Sequence, residues 1–249
     1  MSDLAAFPDG WRRASVIVAH PDDIEYGVAG AVAAWTAAGC EVSYVLVTSG
    51  EAGIDSMAPD VARAAREAEE RASGAVVGVS QVEFLGHPDG RVVEDLALRR
   101  DLAAAIRRQR PDVVVAQYHG EHWGGTVAGP WNSADHRAVG RATMDAVGDA
   151  ANRWIFPELV EEPWAGTRWI AVAVPPADAT HAVDVEAVGE PAIQSLLAHE
   201  AYLRGLGVSD RRAYAHELLD GQAAAVAPHF GGRHGVAFAL TPGPGAPAA

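Results

Sequence analysis

The chain has 249 residues, 49% of them apolar and 21% charged, a composition that excludes disordered and fibrous classes and leaves room for a substantial core. Its one cysteine, Cys40, excludes an internal disulfide and a multi-thiolate cage for zinc or an iron–sulfur cluster, so a bound metal must sit on nitrogen and oxygen. The formal charge is −14 and all 19 basic residues are arginine; with no basic stripe, neither nucleic acid nor an anionic membrane surface is an expected partner, and with no lysine a Schiff base is excluded.

Short apolar runs bounded by turn residues read as buried parallel strands at 15–19, 41–48, 81–85, 112–117, 168–174 and 182–185. Helices are expected between them at 24–38, ended by Gly39, then at 59–77, at 94–109 ahead of Pro111, and at 135–150, followed by 187–204 and 210–227. Strand and helix in alternation predict an α/β fold, a single doubly wound, mostly parallel Rossmann-like sheet with helices on both faces. One domain is expected over 1–240, and the Pro- and Gly-rich 241–249 is expected to be a disordered tail. The first residues lack a basic start followed by an apolar run, and no stretch reaches the roughly 20 apolar residues that span a bilayer, so a cytoplasmic protein is expected.

The first strand runs into His20-Pro21-Asp22-Asp23, at the carboxyl end where open α/β sheets place their ligands. Pro21 biases His20 toward extended backbone, and the two aspartates fall at the opening of the next helix. Adjacent residues there point in different directions, so one carboxylate can join His20 on a metal while its neighbour serves as a base. Helix capping alone would account for the aspartates, but it has no use for the imidazole.

The run AHPDDIE resembles the AHPDDE signature of the PIG-L (LmbE-like) family of zinc-dependent deacetylases, which remove acyl groups from N-acetylglucosamine-type amides. The resemblance extends over about 13–203. The segments VTSGEAG (47–53), the Arg66 and Glu69 pair, FLGHPDG (84–90), DHRAVG (135–140), and AVDV with LLAHE (182–185, 196–200) follow in the family's order. It implies His20, Asp23 and His136 as metal ligands and Asp22 as general base. Arg66 and Asp89 match positions that bind sugar hydroxyls in relatives, and Glu51 lies in the family's GE-G turn; each reads equally well as an ion pair, a turn residue or a loop residue. Two imidazoles and a carboxylate leave an open position for water, which suits Zn2+, and Fe2+ accepts the same set.

The second signature departs from the family. Many members read His-Pro-Asp-His, whereas this chain reads Ser133-Ala134-Asp135-His136. Ser133 can donate only a neutral hydrogen bond to an oxyanion. His119 and His122, in the loop after the fourth strand, are candidates for the missing imidazole and equally for surface histidines. His199 reads as a supporting histidine or as a satisfied helix residue, while Trp123 and Trp131 read as core or as stacking platforms for a sugar. The expected activity is hydrolysis of the amide of an N-acyl amino sugar or glycoconjugate. An amidase acting on a thiol-sugar conjugate and a metal- or sugar-binding relative without turnover are the alternatives, and a homo-oligomer is compatible with each.

Overall fold

The computed structural model describes residues 3–123 and 129–247. In chain order, the elements that position the site are β1 (Ala5–Ala6), β2 (Arg13–Val18), α1 (Asp23–Gly27), α2 (Ala29–Ala37), β3 (Glu41–Leu46), α3 (Pro59–Val76), β4 (Gln81–Phe84), α4 (Leu96–Gln109) and β5 (Val113–Ala116). They are followed by α5 (Ala134–Ala151), β6 (Trp169–Ala173), β7 (His181–Asp184), α6 (Gly189–Leu197), α7 (Glu200–Gly205), α8 (Arg211–Val226) and β8 (Gly235–Pro242). The eight strands form one sheet in the order β1-β7-β8-β6-β5-β2-β3-β4. All neighbouring pairs are parallel except those of β8, which runs antiparallel to both β6 and β7.

Side-chain alternation along β2 divides the core. Val16 and Val18 pack with Trp11, Trp35, Tyr44 and Phe238 on the face covered by α2, while Ile17 and Ala19 join Leu98, Leu102, Ile106 and Val139 under α4 and α5. Both faces of this strand are buried, which is why it reads as a continuous apolar run rather than an alternating one.

Three expectations are corrected. The helix expected at 24–38 is two, because Val28 leaves helical backbone (φ −138°) between α1 and α2. The helix expected at 187–204 is likewise broken between α6 and α7, at Ala198 and His199. The expected tail is paired at its start: Thr241 and Pro242 belong to β8, and the amides of Gly243 and Gly245 donate to the carbonyls of Arg168 and Thr167 at 2.9 and 2.8 Å. Glycine and proline around 231–245 disguise a strand that fills the gap between β6 and β7. It is buried at Gly235, Ala237 and Phe238.

Candidate metal centre

The parallel strands β2 to β5 deliver their following segments to one edge of the sheet. After β2 the chain turns sharply at His20–Asp23. Asp22 takes left-handed backbone (φ 95°, ψ −27°), a conformation costing a non-glycine residue of this kind about 1–2 kcal/mol. That reversal points Asp22 toward α3 and Asp23 toward α5. The cost is offset locally, because the Asp22 amide donates to Glu70 Oε2 at 3.2 Å and Arg66 binds both the Pro21 carbonyl and, at 2.5 Å, Asp22 Oδ1.

His20, Asp23 and His136 converge from two elements. His20 Nδ1 lies 3.2 Å from His136 Nε2 and 3.3 Å from Asp23 Oδ2, and His136 Nε2 lies 3.0 Å from Asp23 Oδ1. Donors at about 2.0–2.1 Å from a tetrahedral ion stand roughly 3.3 Å apart; the two Asp23 separations belong to its two different oxygens, and the three side chains converge closely enough to hold a metal. The electrostatics agree. Asp89 and Asp135 meet His20, Asp23 meets both His20 and His136, and Asp22 pairs with Arg66. Burial works against a charged His20, yet the hydrogen bonds it donates to Asp135, Asp23 and Asp89 hold its imidazole well above its ordinary value. Burial likewise opposes the Asp23 carboxylate, but the two histidines pull it well below the usual range. Protons thus occupy a cluster whose negative charge a divalent cation would neutralise.

Each imidazole has its far nitrogen fixed. His20 Nε2 faces Asp89 Oδ1 at 3.1 Å and Asp135 Oδ2 at 3.3 Å, so it carries the proton and leaves Nδ1 as the ligand. Asp135 is itself immobilised, accepting from the amides of Gly90 (2.7 Å) and Val92 (3.1 Å). His136 Nδ1 donates to Asn132 Oδ1 at 3.0 Å, which presents Nε2. Asn132 in turn donates to the carbonyls of Tyr118 and Gly120. The depth of α5 is set by contact: at Gly140, one turn beyond His136, a Cβ would meet the Gln117 carbonyl oxygen at 2.4 Å and His119 Cβ at 2.6 Å.

Asp22 stands beside this trio. Burial pushes its carboxyl up to about 6, the Arg66 charge offsetting only part of the effect. Arg66 is itself almost fully buried, bonded also to the Gly50 carbonyl (3.1 Å) and packed 4.4 Å from the centre of the Tyr202 ring. Behind Asp22 lies an enclosed group: His199 Nε2 is 3.1 Å from Glu25 Oε2 and 3.8 Å from Glu70 Oε2. Burial, followed by the Glu25 charge, drives the Glu70 carboxyl well up. Glu25 is charged despite burial because His199 pulls its carboxyl down.

The remaining expected residues fall as follows. Asp89 is mostly occupied by His20 and by the Ala52 amide (2.7 Å). Glu51 is tied to Arg63 (3.0 Å) and accepts from the Asp89 amide (3.2 Å). Arg66, Asp89 and Glu51 therefore brace the turn, and the side chain of Arg66 is only 3% exposed. Ser133 is the N-cap residue of α5, and its hydroxyl makes no capping bond. His119 Nδ1 is 3.3 Å from the Gln117 carbonyl and His122 Nδ1 is 2.8 Å from the Gly129 carbonyl, so in both rings Nε2 is the nitrogen left to exchange protons. Trp123 packs edge-on against His136 at 5.5 Å between ring centres, whereas Trp131 is exposed over Arg137. Asn132, Glu70, Tyr202 and the bracing role of Asp135 were not anticipated; the only sequence signal was the position of Asn132 and Asp135 beside His136.

The chain is 26% identical over 142 residues to a diacetylchitobiose deacetylase from Thermococcus kodakarensis, covering 55% of this chain and 49% of that protein. It is 29% identical over 193 residues to a 1D-myo-inositol 2-acetamido-2-deoxy-alpha-D-glucopyranoside deacetylase from Thermobifida fusca, covering 66% and 63%. The matches thus span about half to just under two thirds of these relatives. Among solved structures, N,N'-diacetylchitobiose deacetylase from Pyrococcus horikoshii shares the fold, with a TM-score of 0.78 at 24% identity over 93% of this chain and 84% of that one. A conserved protein from Thermus thermophilus gives a TM-score of 0.72 at 25% identity over 92% and 94%. Residues 15–147, more than half of the chain and the stretch carrying His20, Asp23 and His136, match the family model described as GlcNAc-PI de-N-acetylase, and the chain belongs to that family, PIG-L.

Proposed function

We propose that this protein is a zinc-dependent N-deacetylase acting on the amide of an N-acetylated amino sugar or its glycoconjugate. The observation that carries the reading is the convergence of His20, Asp23 and His136, neighbouring side chains approaching to 3.0–3.3 Å, in a member of this family. When bound there, the ion supplies Lewis acidity toward a water molecule and the amide carbonyl, with water pKa values near 7 typical of such sites. Asp22 accepts the proton released as that water attacks, and Arg66 fixes the carboxylate for the purpose. Ser133, whose hydroxyl does not cap α5, supports the reading as a neutral donor to the developing oxyanion. His119 and His122, each with Nδ1 on a carbonyl, are the groups proposed to protonate the departing amine. Fe2+ fits the same donors, so metal content is part of the test. No helix among the described residues is long and apolar enough to cross a membrane.

The test combines metal analysis of the purified protein with release of primary amine from a panel of N-acetylglucosamine derivatives. One zinc per chain and amine release are expected. Asp22→Asn should retain the metal and lose at least ~100-fold in turnover, whereas His136→Ala should lose the metal. Zinc bound with no amine released from any member of the panel would overturn the assignment in favour of a binding protein.

A further inference from the structure

A cavity of about 480 Å³, within the range of small-molecule sites, lies apart from His20, Asp23 and His136. It lies at the same carboxyl edge of the sheet, lined by Val28, Val174, Pro175, Leu219, Ala223 and Val236. Two links join it to the metal centre. Tyr118 and Trp123 line it and stack on each other at 5.6 Å, while Trp123 also packs against His136. Helix α1 opens on the proposed ligand Asp23 and contributes Glu25, Tyr26 and Gly27 to the cavity wall, two to four residues on, about 3–6 Å of helix. The end of β6 that lines the cavity is two strands from β2, roughly 10 Å, a distance a sugar ring and its linkage cover. The lining includes the acidic residues Glu186 and Asp220 and no arginine, which disfavours an anionic occupant.

Resting on the deacetylase reading, we infer that the substrate carries an apolar group of about six carbons or more, which this cleft buries while the amide lies at the metal centre. The aliphatic part of the wall, Val28, Val174, Pro175, Leu219, Ala223 and Val236, offers a hydroxyl no side-chain partner and favours an apolar group. The apolar group is attached either as the glycosidic substituent or as a longer N-acyl chain, and both present the same chemistry to the cleft.

Three compounds separate the sources: the methyl glycoside of N-acetylglucosamine, its hexyl glycoside, and the methyl glycoside bearing N-hexanoyl in place of N-acetyl. Binding is measured by calorimetry on zinc-loaded Asp22→Asn, and turnover on the unsubstituted protein. Full burial of a methylene strengthens binding about fourfold, so one of the two longer compounds should bind at least ~10-fold tighter than the methyl N-acetyl reference. Ala223→Phe, on the half-buried face of α8, should abolish that gain and leave the reference unchanged, with Leu219→Gln as a second variant acting in the same direction. Equal binding of all three compounds, or a gain that survives both substitutions, would overturn the inference even if every compound is hydrolysed. A gain without hydrolysis would remove the deacetylase reading and leave the apolar site standing.

Discussion

Glu70 accepts the backbone N–H of Asp22 at 3.2 Å, and it does so where Asp22 holds left-handed backbone. The proposed base is therefore fixed through its main chain as well as through Arg66. Burial raises the Glu70 carboxyl well above its ordinary range, so Glu70→Gln, a neutral isostere that keeps the acceptor, should leave stability nearly unchanged. Glu70→Met, of similar volume but without the acceptor, should cost about 1–3 kcal/mol for the orphaned amide. Urea unfolding of both variants checks this, and equal losses would show that the acceptor is irrelevant.

Asn132 is predicted to govern metal affinity. Its amide oxygen is the partner of His136 Nδ1, so Asn132→Ala frees the ring to rotate or change tautomer. Loss of such outer partners typically weakens metal binding ~10–100-fold. Asn132→Asp keeps the acceptor and should retain most of the affinity. Competition against a chelating indicator gives both constants, and unchanged binding in the alanine variant would refute the role.

His199 provides a pH signature in stability. Burial lowers its pKa, but the attraction and hydrogen bond of Glu25, with Asp22 and Glu69 beyond, more than compensate and hold it above the ordinary value. A raised histidine stabilises the fold fully below its unfolded pKa, about 6.5, and that contribution fades as pH rises through the folded value. The stability gap between the unsubstituted protein and His199→Gln should accordingly be widest at pH 6 and narrow at pH 9. A gap that is constant or widens with pH would exclude a charged His199.

The five parallel strands expected up to 174 were legible because each is a compact apolar run closed by turn residues, as β2 shows with both faces buried. The convergence of His20, Asp23 and His136 was legible only through resemblance, since no local rule links positions 116 residues apart. What stayed hidden is the bracing. Asp89 reads as part of an Asp-Gly turn, and only the tertiary approach of the β4–α4 connection brings it onto His20. Arg66 reads equally well as half of a surface ion pair on α3, yet it and Glu70, one turn on, both turn inward to the Asp22 turn and are buried. β8 was missed because its flanking glycines and prolines match loop chemistry, and because an antiparallel strand inserted between β6 and β7 breaks the βα rhythm on which the reading relied.

Gly140 gives this site a property that no polar residue supplies. An ordinary carbon contact requires about 3.5–4.0 Å, so a methyl group at that position would lift α5 from the end of β5 by roughly 1 Å. Coordination distances tolerate deviations of only about 0.2 Å, and His136 rides on the same helix one turn earlier. The geometry of the proposed metal centre thus depends on an atom the sequence omits: a hydrogen in place of a methyl sets how closely His136 approaches His20 and Asp23.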